Sequence, residues 1–102
     1  MTLKQCAPFA LALPALLAFS SAQADLLSDV KARGELKCAV YSDVPPFSSP
    51  DPKTRQLVGM DVDLCHALGR QMGVKTMLMP TSVEARIAVI ATGRADVLIA
   101  NL

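Results

Sequence analysis

The stretch from Gly59 to Gly73 constrains the chain most, because a glycine stands at each end of a segment with helical periodicity. Asp61 is placed to accept hydrogen bonds from the free N–H groups of a first helical turn. Asp63 adds negative charge at the positive end of the helix dipole, and Gly73 supplies the left-handed residue that stops the helix. Between these signals Leu64, Cys65, Leu68 and Met72 recur at three-and-four spacing, and His66, Arg70 and Gln71 fall away from them. An apolar stripe of this kind needs a sheet to lie on. The chain offers one strand before the helix and two after it.

The 102 residues are 52% apolar with a formal net charge of +1, but the first two dozen read as a segment apart from the fold. Lys4, the apolar run from Ala7 to Phe19 and the tripeptide Ala22-Gln23-Ala24 match a secretory signal cleaved before Asp25. The run is short for a membrane span and contains Pro14. An apolar N-terminal helix packed on the domain is the competing reading. Cys6 precedes the run, which argues against a lipid anchor at the cleavage point.

From residue 25 onward the charges balance, since Lys4 is the tenth of ten basic residues and the acidic ones number nine. A phosphate-backbone binder is expected to show a basic face, so nucleic acid is not an expected partner.

Leu26 to Arg33 reads as a short helix stopped by Gly34, and Leu36 to Tyr41 as a first strand. Pro45, Pro46, Pro50, Pro52 and Gly59 exclude a helix from Ser42 to Gly59, and Pro45-Pro46 holds the backbone extended before Phe47. Ser49 to Lys53 reads as a turn and Gln56 to Val58 as a brief extended return. Val74 to Met79 is a second strand. Thr81 and Glu84 have capping-box spacing, with Ser82 as a competing cap, and predict a second helix that faces inward through Val83, Ile87 and Ile90 and ends at Gly93. Asp96 to Ala100 is a third strand whose unbroken apolar centre predicts burial on both faces, as in parallel sheets.

The expected fold is therefore α/β, a three-stranded parallel sheet with crossover helices and the first strand central. Ligands in such sheets bind beyond the carboxyl ends of the strands, here Tyr41 to Phe47, Met79 to Ser82 and Ala100 to Leu102. Enzyme signatures are weak. His66 is the single histidine, so a zinc site or a histidine-based triad lacks material. No glycine-rich dinucleotide or nucleoside-triphosphate loop occurs. Asp61 and Asp63, two apart, do not share a helix face. No cofactor and no metal are expected.

Gly34 to Cys38, Pro46-Phe47, Leu57 to Leu64, Met72 to Val74 and Gly93 to Val97 together resemble the start of the periplasmic amino-acid-binding proteins of ATP-driven importers, the bacterial solute-binding family 3. The resemblance covers residues 26 to 102. It implies export to the periplasm, no catalysis, and a two-lobed fold that closes on an amino acid and delivers it to an ABC permease. Residues 25–102 would form an incomplete N-terminal lobe, with 1–24 as signal, so the chain is expected to be a fragment or truncated product. Relatives on this scaffold also imply two alternatives, an enzyme (a periplasmic dehydratase, or a domain of a peptidoglycan-cleaving enzyme) and a sensor module.

The resemblance also implies a pocket. Tyr41 stands where the family often has an acidic residue, with Asp43 two further on. Val44 and Val83 replace the two aromatic platforms of basic-amino-acid and glutamine binders. Ser82 to Arg86 keeps a Ser-x-x-x-Arg context seen in members taking glutamate, aspartate or a broad polar set, and Asn101 falls at a polar ligand contact. The ligand expected is glutamate, aspartate or glutamine. The family's Thr and Arg that grip the α-carboxylate would lie past Leu102, so residues 25–102 alone are expected to bind weakly. Plainer readings stand beside these: Arg86 as a solvated or lobe-stabilising residue, Phe47 as a plug packing its loop, Asp43 as a loop residue, Tyr41 as core edge. Cys38 and Cys65 lie on elements expected to touch in an oxidising compartment, where a disulfide and two buried thiols are the alternatives.

Overall fold

The computed structural model describes residues 25–101, and the signal-like segment lies outside them. The order of elements is α1 (Leu26–Arg33), β1 (Glu35–Tyr41), β2 (Ser49–Pro50), β3 (Leu57–Val58), α2 (Met60–Met72), β4 (Lys75–Thr81), α3 (Arg86–Ala91) and β5 (Val97–Leu98). The main sheet is parallel in the order β4-β1-β5, with β1 central as expected. β1 and β4 pair along their whole length, from Glu35 opposite Lys75 to Tyr41 opposite Thr81.

The pleat of β1 builds two cores. Cys38 and Val40 point to α2, where they meet Val62 and Cys65, with Leu57, Leu78, Val97 and Ile99 around them. Ala39 points the other way, to Val89 of α3 and Ala95, with Met79 and Leu98 alongside. Strands buried on both faces read as nearly continuous apolar runs, which is the pattern of Leu36 to Tyr41.

α2 ends where the sequence indicates, with Gly73 left-handed at φ 73°. Its start differs from expectation. Gly59 precedes the helix and Asp61 lies inside it, 5% exposed, with no side-chain cap. The N–H groups of Met60 and Asp61 donate instead to the carbonyls of Pro46 and Phe47, at 3.3 and 2.9 Å. A Cβ on Gly59 would lie 2.3 Å from the Phe47 carbonyl oxygen, so only glycine admits the loop at this distance.

The buried line of α2 is also rotated from the expected stripe. Asp61, Val62, Cys65 and Gly69 are buried, and Leu64 and Leu68 are 49% and 36% exposed. The cause is close approach at small residues. Cys65 is joined to Cys38 by a disulfide with Cα atoms 6.0 Å apart, and the Cβ-free Gly69 packs on the Thr76 hydroxyl. Leu68 and Met72 instead share an apolar groove with Leu26, Leu27, Val30, Leu36 and Val97.

Three shorter elements depart from the sequence reading. Ser49–Pro50 is a strand paired antiparallel with Leu57–Val58, and the turn begins at Asp51, which accepts the N–H groups of Lys53 and Thr54. The second helix begins at Arg86, because the Ser82 hydroxyl accepts the Ala85 N–H and closes a separate turn first; Thr81 is a buried strand residue. Val89 is its buried residue, and Val83, Ile87 and Ile90 are exposed. β5 is two residues long and only half-buried at the sheet edge, where the unbroken apolar run predicted burial on both faces.

Candidate ligand cleft

The carboxyl ends of the strands converge through backbone and side-chain bonds to β1. Tyr41 pairs with Thr81, and the next N–H, of Ser42, donates to the Thr81 carbonyl at 3.0 Å. The Tyr41 hydroxyl donates to the Asn101 carbonyl at 2.7 Å. The segments after β1, β4 and β5 are therefore all tied to the end of the central strand.

The Tyr41 ring is 3% exposed and its hydroxyl is engaged, so it is a core-edge residue that anchors Asn101. Asp43 is exposed at the head of the loop. Val44 and Phe47 are half-buried in a tight reversal: the Val44 N–H donates to the Ser48 carbonyl at 2.7 Å and the Phe47 N–H to the Val44 carbonyl at 2.9 Å. The Pro45–Pro46 bond inside it is cis. Across the cleft end, Ser82 and Val83 are exposed and Asn101 is exposed beyond β5. Arg86 is half-buried. Its Nη1 donates to the Val83 carbonyl, and its Nε is shut from solvent with no hydrogen-bond partner.

The cleft end thus takes Asp43, Val44 and Phe47 from the segment after β1, Ser82, Val83 and Arg86 from the segment after β4 and the start of α3, and Asn101 from beyond β5. It does not include Cys38 and Cys65, which are core residues bonded to each other. A cavity of about 250 Å³ lies beside it, lined by Met79, Pro80, Thr81, Ser82, Ala85, Val89 and Arg94. Of the expected residues only Ser82 lines this cavity. Among the described residues no cluster of three His, Cys, Asp or Glu is arranged to hold a metal ion. Two buried polar groups behind the loop, Ser48 and Asp61, carry oxygens without partners. Burial pushes the Asp61 carboxyl above its ordinary value. Neither residue was expected at the site, since a serine beside a phenylalanine and an aspartate in a first turn both read as ordinary loop and cap residues.

The model of the bacterial extracellular solute-binding proteins, family 3, matches residues 36–102. Over 95 residues the chain is 40% identical to the glutamate/glutamine/aspartate/asparagine-binding protein BztA of Rhodobacter capsulatus, covering 88% of the chain and 27% of that protein. Over 85 residues it is 35% identical to the general L-amino acid-binding periplasmic protein AapJ of Rhizobium johnstonii, covering 80% and 25%. Among solved structures, the arginine-bound form of domain 1 from TmArgBP superposes with a TM-score of 0.69 at 31% identity, covering 72% of the chain and 58% of that domain. The chain spans roughly a quarter of the length of these two curated relatives.

Proposed function

The chain belongs to the bacterial extracellular solute-binding proteins, family 3, and from that membership we propose that residues 25–102 form part of an N-terminal lobe that captures a polar or acidic L-amino acid in the periplasm. On this reading the bound amino acid passes to the membrane permease of an ABC importer, no catalysis is involved, and the signal is cleaved after Ala24. The observation that carries the reading is the convergence of three loops on the end of β1, through Ser42 with Thr81 and Tyr41 with Asn101. Open parallel sheets bind ligands at that end.

The side chains there favour a carboxylate or amide over a cation. Val44 and Val83 offer no aromatic face for stacking or cation–π contact. Arg86 offers a fixed cationic fork, with one nitrogen engaged on Val83. The relative named for glutamate, glutamine, aspartate and asparagine supports the same class. The arginine-bound domain 1 supports capture by a single lobe, and it makes arginine the necessary control.

The test is amide NMR of the chain titrated with glutamate, aspartate, glutamine and arginine into the millimolar range. Glutamate is expected to shift Asp43 to Phe47, Ser82 to Arg86 and Asn101, and Arg86→Ala to abolish those shifts. In a chimera carrying residues 36–101 in place of the matching stretch of the R. capsulatus relative, Arg86→Ala is expected to weaken glutamate binding by about 2–5 kcal/mol. Arginine binding tightest, or an Arg86→Ala chimera that keeps its glutamate affinity, overturns the ligand assignment.

A further inference from the structure

Met79 and Thr81, two apart on β4, point to the same side of the sheet. Met79 packs there with Val89 of α3, so the cavity of about 250 Å³ that these residues line follows the seam between β4 and α3. β4 is an edge strand of the main sheet. Arg94 lines the cavity as well, its N–H donating to the Val89 carbonyl at 3.0 Å just past the end of α3. Ser82 is shared with the candidate cleft, but Asp43, Val44, Phe47, Arg86 and Asn101 do not line this cavity.

The lining is largely apolar, through Met79, Pro80, Ala85 and Val89, and Arg94 is its one charged residue. Arg94 is exposed, and the ion pair found among the described residues is Arg33 with Asp96, so the Arg94 guanidinium is not neutralised by it. Glu84, the acidic residue nearest in sequence, is exposed and does not line the cavity. Thr81 is 7% exposed. The hydroxyls of Thr76, Ser82 and Thr92 are engaged on backbone groups, whereas that of Thr81 makes no hydrogen bond among the described residues. The wall therefore offers a guanidinium fork, a hydroxyl able to donate and an apolar surface. It offers no carboxylate to neutralise an ammonium group.

We propose that the seam between α3 and β4 is a second binding site, separate from the cleft, for a small aliphatic monocarboxylate. Arg94 holds the carboxylate through charge-assisted hydrogen bonds, and Thr81 is the further donor in the wall. The aliphatic body rests on Met79, Ala85 and Val89. Pockets for drug-sized ligands run to about 300–1,000 Å³, so a cavity of about 250 Å³ admits only a smaller molecule. An amino acid would bring its ammonium group against a wall without an acidic residue, and an unpaired charge taken out of water is costly. The simple acid is therefore preferred. The site stands on its own lining and does not depend on the function proposed for the cleft.

The experiment is an amide NMR titration of the isotope-labelled chain with isovalerate. Saturable shifts are expected at Thr81, Ser82, Ala85, Val89 and Arg94, with Asp43 to Phe47 unmoved. Isovaleramide keeps the body without the charge, and leucine adds the ammonium group. Read at Val89 and Arg94, each is expected to bind at least about tenfold more weakly than isovalerate. Arg94→Gln should weaken isovalerate binding by about tenfold, a modest loss because solvent screens an exposed guanidinium. Shifts that do not saturate, isovaleramide or leucine binding as tightly as isovalerate, or an Arg94→Gln chain that keeps the original affinity would each overturn the site. The ligand comparisons use the unaltered chain, so they decide even if the variant fails to fold. Glutamate forms a separate arm. If isovalerate moves Val89 and Arg94 while glutamate leaves Asp43 to Phe47 unmoved, the site stands and the cleft reading falls; if isovalerate leaves Val89 and Arg94 unmoved, the site falls whatever glutamate does.

Discussion

At the scale of single residues, Asp96 gains a role that its position at the start of a strand does not suggest. Its Oδ2 accepts the Lys37 N–H at 2.8 Å and pairs with the Arg33 guanidinium, and its own N–H donates to the Lys37 carbonyl at 2.8 Å. One carboxylate thus joins α1, β1 and the start of β5. Removing it leaves a partly buried N–H without its acceptor, so Asp96→Ala is expected to lower the unfolding free energy by about 1–3 kcal/mol in urea denaturation. Asp96→Asn, which keeps an acceptor, should lose less. Equal losses in the two variants would show that the carboxylate oxygen is not what matters. Arg86 illustrates the opposite case: a sequence motif identifies it, and the structure adds that part of its guanidinium is already committed to Val83.

At the scale of elements, the start of α2 is built by the preceding loop. Carbonyls of Pro46 and Phe47 take N–H groups that the sequence pattern assigns to the Asp61 side chain. Gly59 makes this contact sterically allowed, whereas a methyl group placed on Gly73, at the other end of the helix, would meet no atom within 4 Å. The two glycines therefore predict different losses. Gly73→Ala meets only the strain of a left-handed residue, about 1–2 kcal/mol, whereas Gly59→Ala forces the loop off the helix and is expected to exceed about 3 kcal/mol. Thermal or urea unfolding of the two variants reads the difference. Similar losses would mean that backbone strain, not the contact with Phe47, fixes glycine at position 59. The loop that Gly59 admits is the one carrying Val44 and Phe47, so this helix start also shapes the candidate cleft.

At the scale of the whole molecule, a chain this short buries about 60–65% of its unfolded surface, and stability of about 0.05–0.15 kcal/mol per residue leaves little margin. The Cys38–Cys65 bond, closing a sequence separation of 27, is then a large contribution, about 3–4 kcal/mol by loop-closure entropy. Reduction is expected to add the mass of two hydrogens and to lower the unfolding midpoint in urea steeply. Paired serines at both positions should reproduce the loss without reductant. An unchanged mass on reduction would leave two buried thiols and a chain whose stability is indifferent to redox conditions. The bond also fixes α2 on β1, and with it the loop that α2 supports.

Much of the fold was legible in the sequence because its signals are local. Left-handed glycines after α1 and α2, prolines across residues 45–52 and the apolar run of β1 each act on their own neighbours, and they set the element order and the parallel sheet with β1 central. The candidate cleft end was read from that sheet order, because open parallel sheets bind ligands beyond the carboxyl ends of their strands, and the family resemblance added only the candidate residues there. What the tertiary structure decided are the matters that depend on distance between elements. The face that α2 buries is chosen by close approach at Cys65 and Gly69, which outweighs the larger Leu64 and Leu68. The cap of α2 comes from carbonyls of the loop that precedes β2, the start of α3 is delayed by one serine turn, and Tyr41 spends its hydroxyl on Asn101. Periodicity records which side chains are apolar, but which of them are buried depends on where backbones meet, and only the folded chain sets that.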